Sequence, residues 1–106
     1  VDFGEAYPVE NMDGNDKKLQ KHNGYPTVYH KIVREVLDEF KDIDIYTFSR
    51  AGYLQAPKYT LSLWAGDQSM NFKKHTGLPS CLTAMLSSSL IGYSNTHCDI
   101  GGYSSY

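Results

Sequence analysis

Apolar positions along the 106-residue chain fall into two periods, and the alternation between them outlines its elements. Val28, Tyr29, Ile32, Val33, Val36, Leu37 and Phe40 recur at helical spacing, with Lys31, Arg34, Glu35, Asp38 and Glu39 between them. Pro26 stands where a first turn would accept it, so the pattern predicts an amphipathic helix from there to Phe40 with a wide buried stripe. Lys31 with Glu35 and Arg34 with Asp38 are four apart and read as a solvated ion-pair face. Residues 9–24, before it, are polar and rich in turn formers and read as an exposed loop. Ile43 to Ser49 is a β-rich run ending at Arg50-Ala51-Gly52, and Leu61 to Trp64 is a second, shorter one. The loop between them carries Pro57 and is compatible with a hairpin or a parallel crossover. A polar loop with Lys73, Lys74 and His75 leads to Gly77-Leu78-Pro79. These open a helix carrying Cys81, Leu82, Met85, Leu86 and Leu90, with Gly92 placed to cap it. Ser87, Ser88 and Ser89 give that helix a face for close packing or for solvent. Tyr93 to His97 is the last strand candidate. The order is that of α/β layering, with the polar residues of interest at the C-terminal ends of strands.

Composition narrows the function classes. Ten Lys and Arg are scattered among twelve acids, for a net charge of −2, which leaves no basic field to attract nucleic acid. Nothing approaches about eighteen consecutive apolar residues, so no membrane span is expected. Cys81 and Cys98 are compatible with a disulfide, though two buried thiols are the commoner arrangement. Nine tyrosines and one tryptophan suit the stacking of sugar C–H faces, and suit a protein core equally well. The chain starts without Met and stops in a glycine-rich loop, so it reads as one partial domain, residues 1–106, cut from something larger.

The candidate chemistry lies in three acid motifs. Trp64-Ala65-Gly66-Asp67-Gln68 ends an apolar run at a glycine and presents a carboxylate. One Asp after Gly is usually a turn residue bonding its own backbone. Asp2-Phe3-Gly4-Glu5 and His97-Cys98-Asp99-Ile100-Gly101-Gly102-Tyr103 repeat the pattern, and three such acids suggest a site. His97, Cys98 and Asp99 make a poor metal site, because consecutive strand residues point to opposite faces and no second ligand cluster exists. No metal or cofactor is expected.

Those three motifs, with His22-Asn23, Arg50-Ala51-Gly52-Tyr53, Lys58-Tyr59 and Gly77-Leu78-Pro79-Ser80, together resemble glycoside hydrolase family 31, in the same order and with similar gaps. The resemblance implies part of a (β/α)8 TIM barrel, from about the end of strand 4 to the loop after strand 7, with a parallel connection between the runs at 43–49 and 61–64. It further implies a retaining α-glycosidase in which Asp2 is the nucleophile and Asp67 the general acid/base, with Arg50 and Asp99 lining the sugar subsite. Trp64 matches a wall position. The form Asp-Phe-Gly-Glu resembles both the sulfoquinovosidases and the bacterial α-xylosidases; Arg-Ala-Gly-Tyr, Ala-Gly-Asp-Gln and above all Tyr103 resemble the sulfoquinovosidase branch, where that tyrosine helps hold the sulfonate. Gln55-Ala56-Pro57 departs from that branch. The alternatives are an α-glucosidase or α-xylosidase of the same family, or a non-catalytic carbohydrate-binding relative.

Retention needs two carboxyl groups about 5–5.5 Å apart in opposite charge states. Arg50 is the available cation for Asp2, and Trp64 the expected apolar wall beside Asp67, where desolvation would favour the protonated acid. His97 is expected to bond the sugar or to orient Asp99. Without further strands, the isolated chain is expected neither to close a barrel nor to catalyse, and its sheet edges to favour association.

Overall fold

The structure is a computed structural model that describes residues 2–8 and 16–105. Its elements are α1 (Asp16–Leu37), β1 (Phe48–Ser49), a 3-10 turn (Ala56–Lys58), β2 (Ser62–Trp64), α2 (Leu78–Leu90) and β3 (Asn95–His97). The three strands form one sheet in the order β1-β2-β3, both pairs parallel, with Phe48 opposite Ser62 and Trp64 opposite His97. The link over residues 50–61 is therefore a crossover, and Gln55-Ala56-Pro57 builds its turn: Gln55 is left-handed at φ 70° and Ala56 is wholly buried.

Two expectations change at α1. Residues 16–24 belong to the helix, and the rest of the expected loop, 9–15, lies outside the described residues. Pro26 is inside the helix, where it forgoes one backbone bond to His22. The preceding Asp-Lys-Lys-Leu-Gln-Lys run is made largely of good helix formers and carries the helix past it. The stripe is also less covered than expected: Val28, Ile32 and Val36 are each more than half exposed, as are Leu82, Leu86 and Leu90 on α2. A sheet only three strands wide cannot shield both helix faces. The ion pairs of α1 form as spaced, Lys31–Glu35 at 3.7 Å and Arg34–Asp38 at 2.5 Å.

The strand expected over 43–49 contracts to Phe48 and Ser49, because β2 starts at Ser62, opposite Phe48, and offers no ladder to the residues before. By contrast α2 matches its signals, with Gly77 at the N-cap and Gly92 just past the C-cap Ile91. Ser88 is its buried serine, while Ser87 and Ser89 face solvent. No helix among the described residues is long and apolar enough to cross a membrane.

Side chains alternate across the sheet. Ser49, Leu63, Thr96 and Cys98 fall on one face, and Phe48, Ser62, Trp64 and His97 on the other. Cys98 lies against Cys81 of α2, both are free thiols, and burial with Cys98 alongside pushes the Cys81 thiol up. At the heart of the packing His30 of α1 is 1% exposed and donates from Nε2 to the Ala51 carbonyl at 2.7 Å.

Burial holds the His30 pKa below its ordinary 6.5, outweighing the Ala51 hydrogen bond that favours the charged ring. Unfolding then takes up a proton in the window below 6.5 and not above it. Stability is expected to be flat in this group's contribution above that value and to fall as pH drops below it. The check is melting temperature against pH for the intact protein and for His30→Gln. Acidification from about pH 7 to about pH 5 should cost the wild type more of its melting temperature than the variant.

Candidate active site

Because β1, β2 and β3 run parallel, the residues that follow them emerge at one edge of the sheet, and Arg50, Asp67 and Asp99 are three of these. Segment 2–8 lies along the same edge and brings Asp2 to Arg50, with Arg50 Nε 3.3 Å from Asp2 Oδ1. Arg50 also donates from Nη2 and Nε to Glu5 Oε1 at 2.6 and 3.0 Å, and its guanidinium lies 4.4 Å from the centre of the Phe3 ring. The cation is thus held by two carboxylates and an aromatic face. The Glu5 hydrogen bond is the main reason its pKa is raised, with the charges of Glu5, Asp2 and Asp67 adding to it. Asp2 and Asp67, sixty-five residues apart in sequence, therefore both act on one guanidinium.

The Asp2 turn is unusual in its backbone. Phe3 and Gly4 are consecutive left-handed residues at φ 62° and 92°, and the Phe3 N–H donates to Asp2 Oδ1 at 3.0 Å. Glycine is required at position 4, where a Cβ would lie 2.8 Å from Cδ1 of Tyr29. At Gly52 the constraint is space, since Tyr93 fills the place of a Cβ at 2.9 Å.

A cavity of about 370 Å³ opens between these parts, lined by Asp2, Phe48, Trp64, His97 and Asp99. His97 and Phe48 meet edge to face, centroids 4.9 Å apart. The Trp64 indole N–H donates to Asp99 Oδ1 at 3.1 Å, while Asp99 Oδ2 is buried with no partner among the described residues. A buried acceptor without a protein donor is suited to a hydroxyl brought in by a ligand. Trp64 thus serves Asp99 rather than Asp67, which is exposed and does not line the cavity. The burial expected of Trp64 at Asp67 is absent because the register sets Trp64 beside His97, two residues from Asp99.

The Asp67 loop is fixed from behind. Gly66, at φ 82°, turns the chain after Trp64, and Gln68, 5% exposed, closes the turn by donating to the Ala65 carbonyl. The Gln68 carbonyl accepts the N–H groups of Tyr103 and Ser104 at 2.7 and 3.1 Å, and Ala65 N–H donates to His97 O at 2.8 Å. The loops carrying Asp67 and Asp99 are therefore stapled together. Tyr103 takes part through its backbone, and its side chain is 62% exposed and outside the cavity lining. His22 and Asn23 join Glu5, Arg50 and Tyr53 around a neighbouring hollow of about 270 Å³, and His22 Nδ1 bonds the Tyr7 carbonyl at 3.1 Å. Lys73, Lys74 and His75 are solvated. Among the described residues no three His, Cys, Asp or Glu are grouped to hold a metal.

Sequence reasoning missed Phe48 and Gln68. Phe48 falls inside a β-rich run, and its place on the cavity wall follows from a register that no local pattern reports. The signal for Gln68 was its place directly after Asp67, where a side-chain amide can bond back to the preceding turn.

Residues 1–106 match the family described as Glycosyl hydrolases family 31 TIM-barrel domain. The chain is 37% identical over 99% of its length to the sulfoquinovosidase of Agrobacterium fabrum (strain C58), and 36% identical over 97% to that of Escherichia coli (strain K12). It superposes with a TM-score of 0.82, at 38% identity and over its whole length, on a family 31 sulfoquinovosidase from E. rectale solved with the aza-sugar inhibitor IFGSQ. It spans 16% of the length of each of these three relatives.

The Gln68 staple is open to direct measurement. Gln68→Met keeps the side-chain length but leaves the Ala65 carbonyl without its donor, and is expected to lower the unfolding free energy of the intact protein by about 1–2 kcal/mol. Denaturant titration reads the difference.

Proposed function

The chain belongs to glycoside hydrolase family 31, and from that premise we propose that the protein it is part of is a retaining α-glycoside hydrolase with the preference of a sulfoquinovosidase. On this reading the chain runs from about the end of barrel strand 4 to the loop after strand 7. The observation that carries it is the position of Arg50, paired with Asp2 and within the electrostatic reach of Asp67 at one sheet edge. Two carboxyl groups flanking a bound sugar are what double displacement requires.

Asp2 attacks the anomeric carbon, with Arg50 beside it at 3.3 Å and Phe3 and Glu5 fixing Arg50. Asp67 protonates the leaving oxygen and then, as a carboxylate, takes a proton from the water that hydrolyses the glycosyl-enzyme. The bound sugar, closing over the edge, supplies the desolvation that an exposed Asp67 needs as an acid. Asp99 Oδ2 accepts a sugar hydroxyl, its other oxygen held by Trp64. Phe48, Trp64 and His97 form the wall against the sugar ring, and Tyr103 reaches a sulfonate from the rim. The sulfoquinovosidase names of the relatives at 36–38% identity support the sugar preference.

Three aryl α-glycosides, of sulfoquinovose, glucose and xylose, test both levels of the proposal in the full-length protein. The sulfonated sugar should be turned over fastest; a preference for a neutral sugar would reject the branch and keep the mechanism. Asp2→Asn should abolish turnover. Asp67→Ala should retain glycosylation on a good aryl leaving group and lose it on a poor one, by at least about 100-fold between the two. Equal survival or equal loss of the aryl activity in both variants would sink the assignment of roles.

A further inference from the structure

The proposed nucleophile and its cation belong to segments that the chain does not join directly, Asp2 on the entering stretch and Arg50 after β1. Their alignment needs a common support, and two consecutive residues of α1 reach both. Tyr29 Oη–H donates to the Asp2 main-chain carbonyl at 3.3 Å, and its ring occupies the space beside Gly4 that a Cβ would need. His30 Nε2–H donates at 2.7 Å to the carbonyl of Ala51, the residue next to Arg50, and is fully buried. The two rings meet edge on at 5.7 Å, so neither turns freely against the other.

We propose that Tyr29 and His30 are positioning residues for the Asp2–Arg50 pair: one turn of α1 sets the height of the nucleophile and of its cation from the same helix. Neither lines the cavity itself, and both act through main-chain carbonyls. A helical residue cannot shift without its neighbour, so the separation of the two carbonyls is fixed by a rigid element rather than by either loop. The left-handed Phe3-Gly4 turn strengthens the argument, because a strained turn keeps its shape only when contacts from outside hold it. The inference rests on Asp2 being the nucleophile.

The test is burst kinetics of the full-length protein on the aryl α-sulfoquinovoside, or on whichever of the three glycosides the wild type turns over fastest. Tyr29→Phe keeps the ring and loses the hydrogen bond, and should slow glycosyl-enzyme formation about fivefold with KM within about twofold and an unchanged melting temperature. Tyr29→Ala, which frees the turn, should slow it about 100-fold. His30→Leu should lose at least about tenfold, and His30→Gln, whose amide can replace Nε2–H, should recover most of that. Wild-type burst rates in Tyr29→Phe and His30→Leu overturn the inference, as does a loss that appears in KM rather than in the burst. If His30→Leu does not fold, Tyr29→Phe alone decides. Asp2→Asn separates the two levels: turnover surviving in it rejects the nucleophile and this inference together. An inactive Asp2→Asn beside unaffected Tyr29 and His30 variants rejects only the positioning.

Discussion

Parallel pairing of three very short strands is the constraint from which the rest of the molecule follows. Parallel strands all end on the same side, so each loop after a strand opens at one edge, and Arg50, Asp67 and Asp99 meet there although up to 49 residues separate them. The same pairing divides side chains between two faces. One face carries the ring-lined cavity, and the other takes Cys98 to the buried thiol of Cys81 on α2. With five ladder pairs in all, the strands alone could not hold this arrangement. Backbone bonds between the Asp67 and Asp99 loops, and the seating of α1 beneath the Arg50 loop, extend the support beyond the ladder.

Within that frame the charges are arranged unequally. Arg50 gives its shorter contacts to Glu5, at 2.6 Å, and a longer one, at 3.3 Å, to Asp2. A cation anchored mainly on Glu5 can offset the charge of Asp2 while leaving most of that carboxylate's lone pairs free. Asp99 is divided too, one oxygen occupied by Trp64 and the other buried without a partner among the described residues.

What could be read from the chain and what could not divides along the range of the interaction. The bounds of α2 were legible because Gly77, Pro79 and Gly92 act within one turn of it. The acid motifs were legible because glycine beside a carboxylate is a local statement. Pro26 misled because a proline reports its own cost and not the helix-forming run before it. Ile43 to Thr47 misled because β propensity does not say whether a neighbour exists. The partner of Trp64 was out of reach: Asp99 lies 35 positions away, and only the Trp64–His97 register joins them.

Phe3 carries a final consequence. Its left-handed backbone, at φ 62°, costs a residue with a side chain about 1–2 kcal/mol that glycine would not incur, yet its ring is what lies beneath Arg50. Thermal robustness and electrostatic order thus make opposite demands on one position. Glycine at Phe3 would relieve the turn only by removing the aromatic floor of Arg50, so that backbone ease and the seating of the cation cannot both be optimised at this one position.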